Sequence, residues 1–267
     1  MVKKIKFDFQ SGTGQRNLTE EERYFFDITG YLILEDILTA NQLEEARESV
    51  RYTAESPPSN VTVRSNGPEL ELVNIIECGG VVEEAFAHTR LVGAMEELIW
   101  GSQFRLVASR SLIRKPGISG RITQGGLADP RRYARYRCFV EGEFRCLMVS
   151  CLVALDDTLP NDGPFCVIPA SHKSNFGHPY TEAPLNTVSA LRDVPLPAGS
   201  AVIFSESLSR AMKPSVIETK HWLLYQYGPS YMLNLPGCDP SDAVLNRASE
   251  QKVKAHLLMK PYYHPDR

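Results

Sequence analysis

Histidine and carboxylate side chains are the residues of this chain that could hold a catalytic metal. The six histidines are His88, His172, His178, His221, His256 and His264. An iron site of the facial type needs two histidines and one carboxylate. The only His-x-Asp tripeptide is residues 264–266, and no histidine follows it, so we interpret that tripeptide as a chance match. We interpret His88 as a helix residue, and His172 and His178 as loop residues.

The cysteines carry no metal signal either. Cys78, Cys138, Cys146, Cys151, Cys166 and Cys238 form no C-x-x-C pair. Structural zinc sites need closely paired ligands at set spacings, whereas a free cysteine in an apolar run behaves as a small hydrophobe. We therefore predict reduced cysteines in the core and no metal.

The most distinctive stretch is residues 155–173, LDDTLPNDGPFCVIPASHK. It reads as a strand that ends in an acidic turn, a Gly-Pro entry into a second strand, and a Pro-led exit into a loop with Ser171, His172 and Lys173. The run therefore predicts two strands joined by an acidic turn.

Helical elements are predicted at both ends of the chain. Thr19 and Thr39 each precede a capping-box partner three residues later, which predicts helices to about Gly30 and through about Ala54, with a strand at residues 31–34 between them. Residues 56–67 are predicted to be a loop. Apolar residues at helical spacing predict a third helix over residues 82–100 and a last one over about 242–258.

The rest of the chain has strand character. The segments 104–112, 147–154, 165–168, 201–204 and 222–227 are short, apolar and separated by Gly, Pro, Asn and Asp. Strands in this order without intervening helices favour an antiparallel barrel or jelly roll. We predict an α+β fold in one domain over residues 1–267, with a double-stranded β core flanked by N-terminal helices.

Composition excludes several classes of function. The chain has 267 residues, 43% hydrophobic and 23% charged, with a formal net charge of −3 and no long basic block, so nucleic acid is not an expected partner. No stretch approaches the roughly 18 apolar residues of a membrane span, and the N-terminus lacks an apolar signal region. We expect a cytoplasmic protein with no membrane partner.

The residues 155–173 resemble the run "aLdD…nGp…viPGSHk" of the phytanoyl-CoA dioxygenase-like family of Fe(II)/2-oxoglutarate oxygenases. Residues 26–35 (FDITGYLILE), 197–204 (PAGSAVIF) and 223–227 (LLYQY) are similar to three further segments of that family. The resemblance covers nearly the whole chain. It implies a double-stranded β-helix (jelly roll, cupin-like) that holds iron by a His-x-Asp/Glu pair and a distal His, with an Arg for the 2-oxoglutarate carboxylate.

The positions that the resemblance assigns to these ligands hold other residues. Thr123 stands where the first His is expected, Gly125 where the carboxylate is expected, and Arg210 where the distal His is expected. Lys220 or His221 replaces the carboxylate-binding Arg. Arginine stays protonated and cannot ligate iron. The resemblance therefore implies a divergent member with a degenerate metal site.

The resemblance also predicts what fills the vacated centre. Thr123, Gln124, Arg210, Lys220 and His221 are expected there, with Arg114 on a neighbouring strand and Tyr225 or Tyr227 on the closing strand. We assign Arg210, Gln124 and Arg114 to binding of an anionic substrate. We assign His221 or Lys220 to general base catalysis, and Tyr227 or Thr123 to proton donation. The alternative is that Arg210 only pairs with Glu206, Asp156 or Asp157.

Three functions stay open at this point. The first is metal-independent, redox-neutral conversion of a small metabolite, such as isomerisation, cyclisation or dehydration, with no cofactor. The second is a non-catalytic binding protein or a partner subunit of an active oxygenase, as a homodimer or heterodimer. The third is an oxygenase that uses Fe(II) and 2-oxoglutarate with unusual ligands.

Overall fold

The computed structural model describes residues 17–66, 69–99, 104–125, 136–138 and 144–261, with the backbone alone at 66, 136–138, 144 and 145. Within these residues the α-helices are α1 (Glu20–Thr29), α2 (Ala40–Glu55), α3 (Gly80–Glu84), α4 (Thr89–Leu98), α5 (Asp242–Ser249) and α6 (Lys252–Leu257). The strands are β1 (Tyr31–Leu34), β2 (Thr62–Asn66), β3 (Glu69–Val73), β4 (Phe104–Arg114), β5 (Tyr136–Cys138), β6 (Phe144–Cys146), β7 (Val149–Ala154), β8 (Phe165–Val167), β9 (Arg192–Val194), β10 (Ala201–Ser205), β11 (Arg210–Met212) and β12 (Lys220–Pro229).

The first two helices begin as their capping residues predict. The Thr19 hydroxyl accepts from the Glu22 backbone, and the Glu22 carboxylate accepts from the Thr19 N–H at 2.8 Å. Thr39 and Gln42 repeat this reciprocal pair at α2. α1 ends at Gly30 in the left-handed conformation, and β1 follows at once. Both capping boxes and the helix end at Gly30 are confirmed.

Three other predictions need correction. The helix predicted over 82–100 is broken, because a short 3₁₀ turn at Ala85–Ala87 follows α3 and His88 adopts extended backbone before α4. The last helix is likewise divided into α5 and α6. In each of these two predicted helices, the two shorter helices pack against the same core. The apolar residues therefore keep their helical spacing across the break. The predicted loop at 56–67 contains β2, an edge strand whose polar sequence TVRSN matches its exposed position.

The larger sheet of the described chain has the order β1-β10-β7-β12-β4-β3-β2, with every neighbouring pair antiparallel. Successive side chains of a strand point to opposite faces. On one face, residues such as Val153, Ile203 and Tyr225 pack against the helices. On the other face, Leu152, Phe204 and Trp222 belong to a second core. The central strands are thus buried on both faces.

A smaller sheet, β11-β8-β9, covers that second core. Phe165 of β8 and Phe204 of β10 pack with ring centroids 5.0 Å apart. Thr123 extends the smaller sheet through an antiparallel bridge to Arg210. The two facing antiparallel sheets with helices outside confirm the α+β double-stranded β-helix.

The described cysteine side chains are free thiols, as predicted. Cys146, Cys151, Cys166 and Cys238 are buried and Cys78 is partly buried. Burial raises the pKa of the Cys238 thiol to about 11 and that of Cys166 to about 12, so both are neutral at physiological pH. In the part of the chain that the structure describes, no helix has the length and apolarity to cross a membrane.

Candidate functional site

A cavity of about 410 Å³ lies between the two sheets. Its apolar wall includes Leu112, Leu152, Phe165, Phe204 and Leu224. Its polar lining consists of Glu69, Arg114, Ser119, Arg121, Thr123, Glu206 and Arg210. This volume and this mixture are typical of sites for small organic molecules.

Arg210 is the first residue of β11, and its side chain lines the cavity. Its backbone exchanges hydrogen bonds of 2.8 and 2.9 Å with Thr123. Its guanidinium donates to the Glu206 carboxylate at 2.5 Å and to the backbone oxygens of Glu206 and Leu208, and it lies 4.9 Å from the ring centroid of Phe204. Of the pairings left open by the sequence, the one with Glu206 is present.

Glu206 directly follows β10 and is only 6% exposed. One carboxylate oxygen accepts from the Ser150 hydroxyl and, at 2.9 Å, from the Gln226 amide, while the other accepts from Arg210. The Glu206 carbonyl accepts from the Gly125 N–H at 2.8 Å. The family resemblance places a carboxylate ligand at residue 125, where Gly125 has no side chain. The buried carboxylate of Glu206 lies beside this position.

Ser150 and Gln226 are functional candidates that the sequence analysis missed. Both are polar residues within apolar strands, β7 and β12. Ser150 is two residues before Leu152, and Gln226 is two residues after Leu224, so each shares the face of a cavity-lining residue. That spacing was the signal available in the sequence.

A second buried arginine lies across the cavity. Arg114 is ion-paired with Glu69 and donates to the Ile118 carbonyl at 2.9 Å. Burial lowers the pKa of Arg114, and the Glu69 charge opposes this. The lining carries the arginines 114, 121 and 210 against the glutamates 69 and 206, which leaves a surplus of one positive charge. The structure thus brings Thr123, Arg114 and Arg210 together as predicted.

The placement of the tyrosines needs correction. The Tyr225 phenol donates to the Val82 carbonyl at 2.5 Å, and the Tyr227 phenol donates to the Phe86 carbonyl at 2.6 Å. Both rings lie on the helix face of β12, because they alternate with Leu224, which lines the cavity. Burial raises the pKa of both phenols well above the usual value. Neither lies in position to donate a proton to a ligand in this cavity.

His221 and Lys220 also lie outside the cavity lining. Asp156 accepts from the His221 ring at 2.8 Å and from its backbone N–H at 2.7 Å, and lies 3.2 Å from Arg47. Burial opposes ionisation of Asp156, but the hydrogen bonds and charges of His221 and Arg47 hold its pKa below the usual value. Lys220 donates to the Asp157 carbonyl at 2.9 Å. These contacts fasten the acidic turn to β12.

Gln124 has a structural position as well. Its amide donates to the Ser171 carbonyl at 3.1 Å and accepts from the His178 N–H at 3.2 Å. His172, in the next turn, is buried and donates from Nε2 to the Asp27 carbonyl at 3.0 Å. The structural interpretation of His172 is confirmed, whereas Gln124 contacts this loop and not the cavity.

The three positions assigned to iron ligands do not fit that metal. Thr123 offers a hydroxyl, Gly125 has no side chain, and Arg210 presents a protonated guanidinium already bound to Glu206. Across residues 17–66, 69–99, 104–125 and 146–261, no three His, Cys, Asp or Glu side chains are grouped as a metal site requires. The tripeptide 264–266 lies outside the described residues.

Comparison with known proteins assigns the fold to a defined class, that of the Fe(II)/2-oxoglutarate oxygenases. The family model of phytanoyl-CoA dioxygenase (PhyH) matches residues 26–209, and the chain belongs to that family. None of the curated proteins is similar enough to match the chain.

Solved structures share the fold. HygX from Streptomyces hygroscopicus, with nickel and 2-oxoglutarate bound, is similar at 21% identity with a TM-score of 0.70, over 81% of this chain and 89% of HygX. The carbocyclase SnoK of nogalamycin biosynthesis, described as non-heme and alpha ketoglutarate dependent, has 15% identity and a TM-score of 0.62, over 86% and 91%. The epimerase SnoN of the same biosynthesis has 15% identity and a TM-score of 0.60, over 79% and 83%.

Proposed function

We propose that the cavity binds a small, partly apolar metabolite with an anionic group and converts it by metal-independent, redox-neutral chemistry. Isomerisation, cyclisation and dehydration are the reactions that fit. The observation that supports this is the Glu206–Arg210 pair, which faces the cavity where the family resemblance places the iron ligands. In this proposal the Arg210 guanidinium takes the place of the metal ion, and the Glu206 carboxylate takes the place of the carboxylate that would bind the metal.

Proton transfer is the chemistry that this pair can perform. Glu206 would accept a proton from the substrate and return it to another atom, or release it with a hydroxyl group as water. Arg210 would stabilise the negative charge that develops, because a preorganised cation in a partly dry cavity interacts strongly with it. Ser150 and Gln226 would orient the carboxylate, and Thr123 would donate a hydrogen bond from the cavity edge.

Binding without turnover is the second candidate. Its support is that Arg210 and Arg114 are both paired internally, with Glu206 and Glu69, so the cavity is held open without any ligand. A binding protein or a partner subunit of an active oxygenase would need no more. HygX was crystallised with 2-oxoglutarate, so an oxygenase with unusual ligands is the third candidate, and the donor set opposes it.

Metal uptake separates the third candidate from the others. We expect neither a Co(II) absorption band nor stabilisation against heat by Mn(II) and 2-oxoglutarate. A site filled at 100 times its Kd would stabilise the protein by about 2.7 kcal/mol. The variant Thr123→His/Arg210→His should gain the Co(II) band, since two imidazoles then join the released Glu206 carboxylate. Equal uptake by the unmodified protein would refute the metal-free proposal.

Turnover separates the first candidate from the second. The protein and its Glu206→Gln variant are incubated with a metabolite extract of the source cells, without added iron, and products are measured by mass spectrometry. We expect a product of unchanged mass, or lighter by one water, that the variant does not form. A product heavier by one oxygen contradicts the proposal, and a metabolite bound but unchanged supports the binding candidate.

A further inference from the structure

A second charged cavity lies at the start of β4, apart from the one between the sheets. Its centre is Arg105, whose side chain is only 2% exposed. The guanidinium donates from Nε to the Met259 carbonyl at 2.9 Å, and from Nη1 to the Met232 carbonyl at 3.1 Å and to the Asn234 side chain. All three acceptors are neutral, so none of them balances the buried charge.

Arg105 has no counter-ion in the described chain. No carboxylate of the described residues is ion-paired with Arg105, and the hydrogen bonds of its guanidinium to those residues come from Nε and Nη1. The acidic group that acts on the pKa of Arg105 is the Cys238 thiol, and this thiol is neutral because burial raises its pKa to about 11. Buried charges in proteins are ordinarily paired, because an isolated charge in a low-dielectric interior is costly. A buried guanidinium that no described carboxylate balances therefore favours a bound anion.

Space for such an anion is present. A cavity of about 360 Å³ lies between Arg105, the segment around Asn234 and the pair of helices α5 and α6. We call it the Arg105 cavity. It shares no lining residue with the cavity between the sheets. Its walls are largely apolar, with Leu245, Ala248, Leu258 and Met259 among them.

The charged lining restricts the ligand. Lys260 and Asp239 line the Arg105 cavity with Arg105, so the lining has a net charge of one positive unit. Nε and Nη1 of Arg105 are already engaged, which leaves the Nη2 donors and the Lys260 ammonium for a ligand. Asp239 would repel a dianion such as phosphate, whereas a monoanion balances the net charge.

We propose that the Arg105 cavity is a binding site for a small monocarboxylate with an apolar body, in the class of short acyl or aryl carboxylates. The carboxylate would lie between Nη2 of Arg105 and Lys260, with the apolar body against Leu258 and Leu245. This proposal is independent of the function proposed for the cavity between the sheets.

Calorimetric titration with hexanoate tests the proposal, with 1-hexanol and inorganic phosphate as probes of charge. We expect hexanoate to bind at one site at least tenfold more tightly than either probe. Ala255→Trp enlarges a small lining residue and leaves the Arg105 side chain in the protein, so it should fill the cavity and weaken hexanoate binding at least tenfold. Lys260→Gln should weaken it severalfold. Leu224→Trp, which fills the other cavity, should leave the affinity unchanged.

Several results would overturn the proposal. The proposal is overturned if hexanoate does not bind, or if 1-hexanol or phosphate binds as tightly as hexanoate. If Leu224→Trp abolished hexanoate binding and Ala255→Trp did not, hexanoate would bind in the cavity between the sheets, and the proposal would be wrong. Arg105→Gln is less informative alone, because it removes contacts to Met259 and Met232, so Ala255→Trp with an unchanged melting temperature is the deciding variant.

Discussion

At the scale of single residues, the Glu206–Arg210 ion pair is the central feature of the cavity between the sheets. Arg210 supplies a fixed positive charge, and Glu206 supplies a carboxylate next to Gly125. The sequence analysis placed Thr123, Gly125 and Arg210 at the ligand positions of the family. It also named Glu206 as one of three possible partners for Arg210. The choice among the partners was not predictable, because it depends on the turn between β10 and β11 that brings residues 206 and 210 together.

Removing one member of this pair should be costly. We expect Arg210→Ala to lower the free energy of unfolding by about 3–5 kcal/mol, because Glu206 would stay buried without its partner. The double variant Arg210→Met/Glu206→Leu should lose much less stability than the sum of the losses in Arg210→Met and in Glu206→Leu. Urea unfolding of these two single variants and of the double variant measures the coupling.

The exposed pair of Arg121 with Glu182, 3.9 Å apart, is the matched control. Arg121→Ala should leave the free energy of unfolding at the wild-type value, since exposed ion pairs contribute little. If Arg210→Ala were as mild as Arg121→Ala, the Glu206–Arg210 pair would not be a buried ion pair in solution.

At the scale of the secondary-structure elements, the glycine at the junction of α1 and β1 has both a local role and a tertiary role. Gly30 ends α1 with φ of 86°, as its position after the helix predicts. A Cβ atom added there would also lie 2.5 Å from Nδ1 of His172 and 2.9 Å from the Leu208 side chain. Gly30 thus lets the N-terminal helix approach the Ser-His-Lys turn, a contact that no local pattern reveals.

Gly30→Ala should therefore destabilise the fold by roughly 2 kcal/mol or more, because a left-handed backbone and a steric clash act together. Gly177→Ala is the control, since Gly177 has no atom near its added Cβ and needs no left-handed backbone. Thermal unfolding of both variants checks this. Equal melting temperatures for the two variants would contradict the close contact with His172.

At the scale of the whole molecule, buried neutral histidine links folding to pH. Burial lowers the pKa of His172 to about 4, although its hydrogen bond to Asp27 opposes the shift. Above the usual pKa of about 6.5, His172 is neutral in both the folded and the unfolded chain. Below it the unfolded chain takes up the proton first, so stability decreases as the pH falls from about 6.5 to 4.

We expect the titration of His172 to lower the free energy of unfolding by an amount on the order of 2 kcal/mol between pH 6.5 and 4. His172→Gln keeps an N–H donor for the Asp27 carbonyl but cannot titrate, so its stability should fall less between pH 6.5 and 4. Urea unfolding at several pH values compares the two proteins. Parallel pH profiles would show that His172 is not the group responsible.

The sequence by itself determined what depends on neighbours along the chain. The capping boxes at Thr19 and Thr39, the end of α1 at Gly30 and the five central strands follow from local hydrogen bonding and side-chain period. The lack of histidines between His88 and His172 likewise needs no structure.

Only the tertiary structure decided which way the side chains point. Tyr227 and His221 were expected in the cavity, but the sheet is covered by helices on one face and by a second sheet on the other, so an apolar strand gives no sign of which face is which. The burial of Glu206 against Ser150 and Gln226 likewise depends on which distant segments pack together, and so does the position of Arg105 away from every described carboxylate. The burial of these charges is set by long-range contacts, and the chemistry proposed for both cavities depends on it.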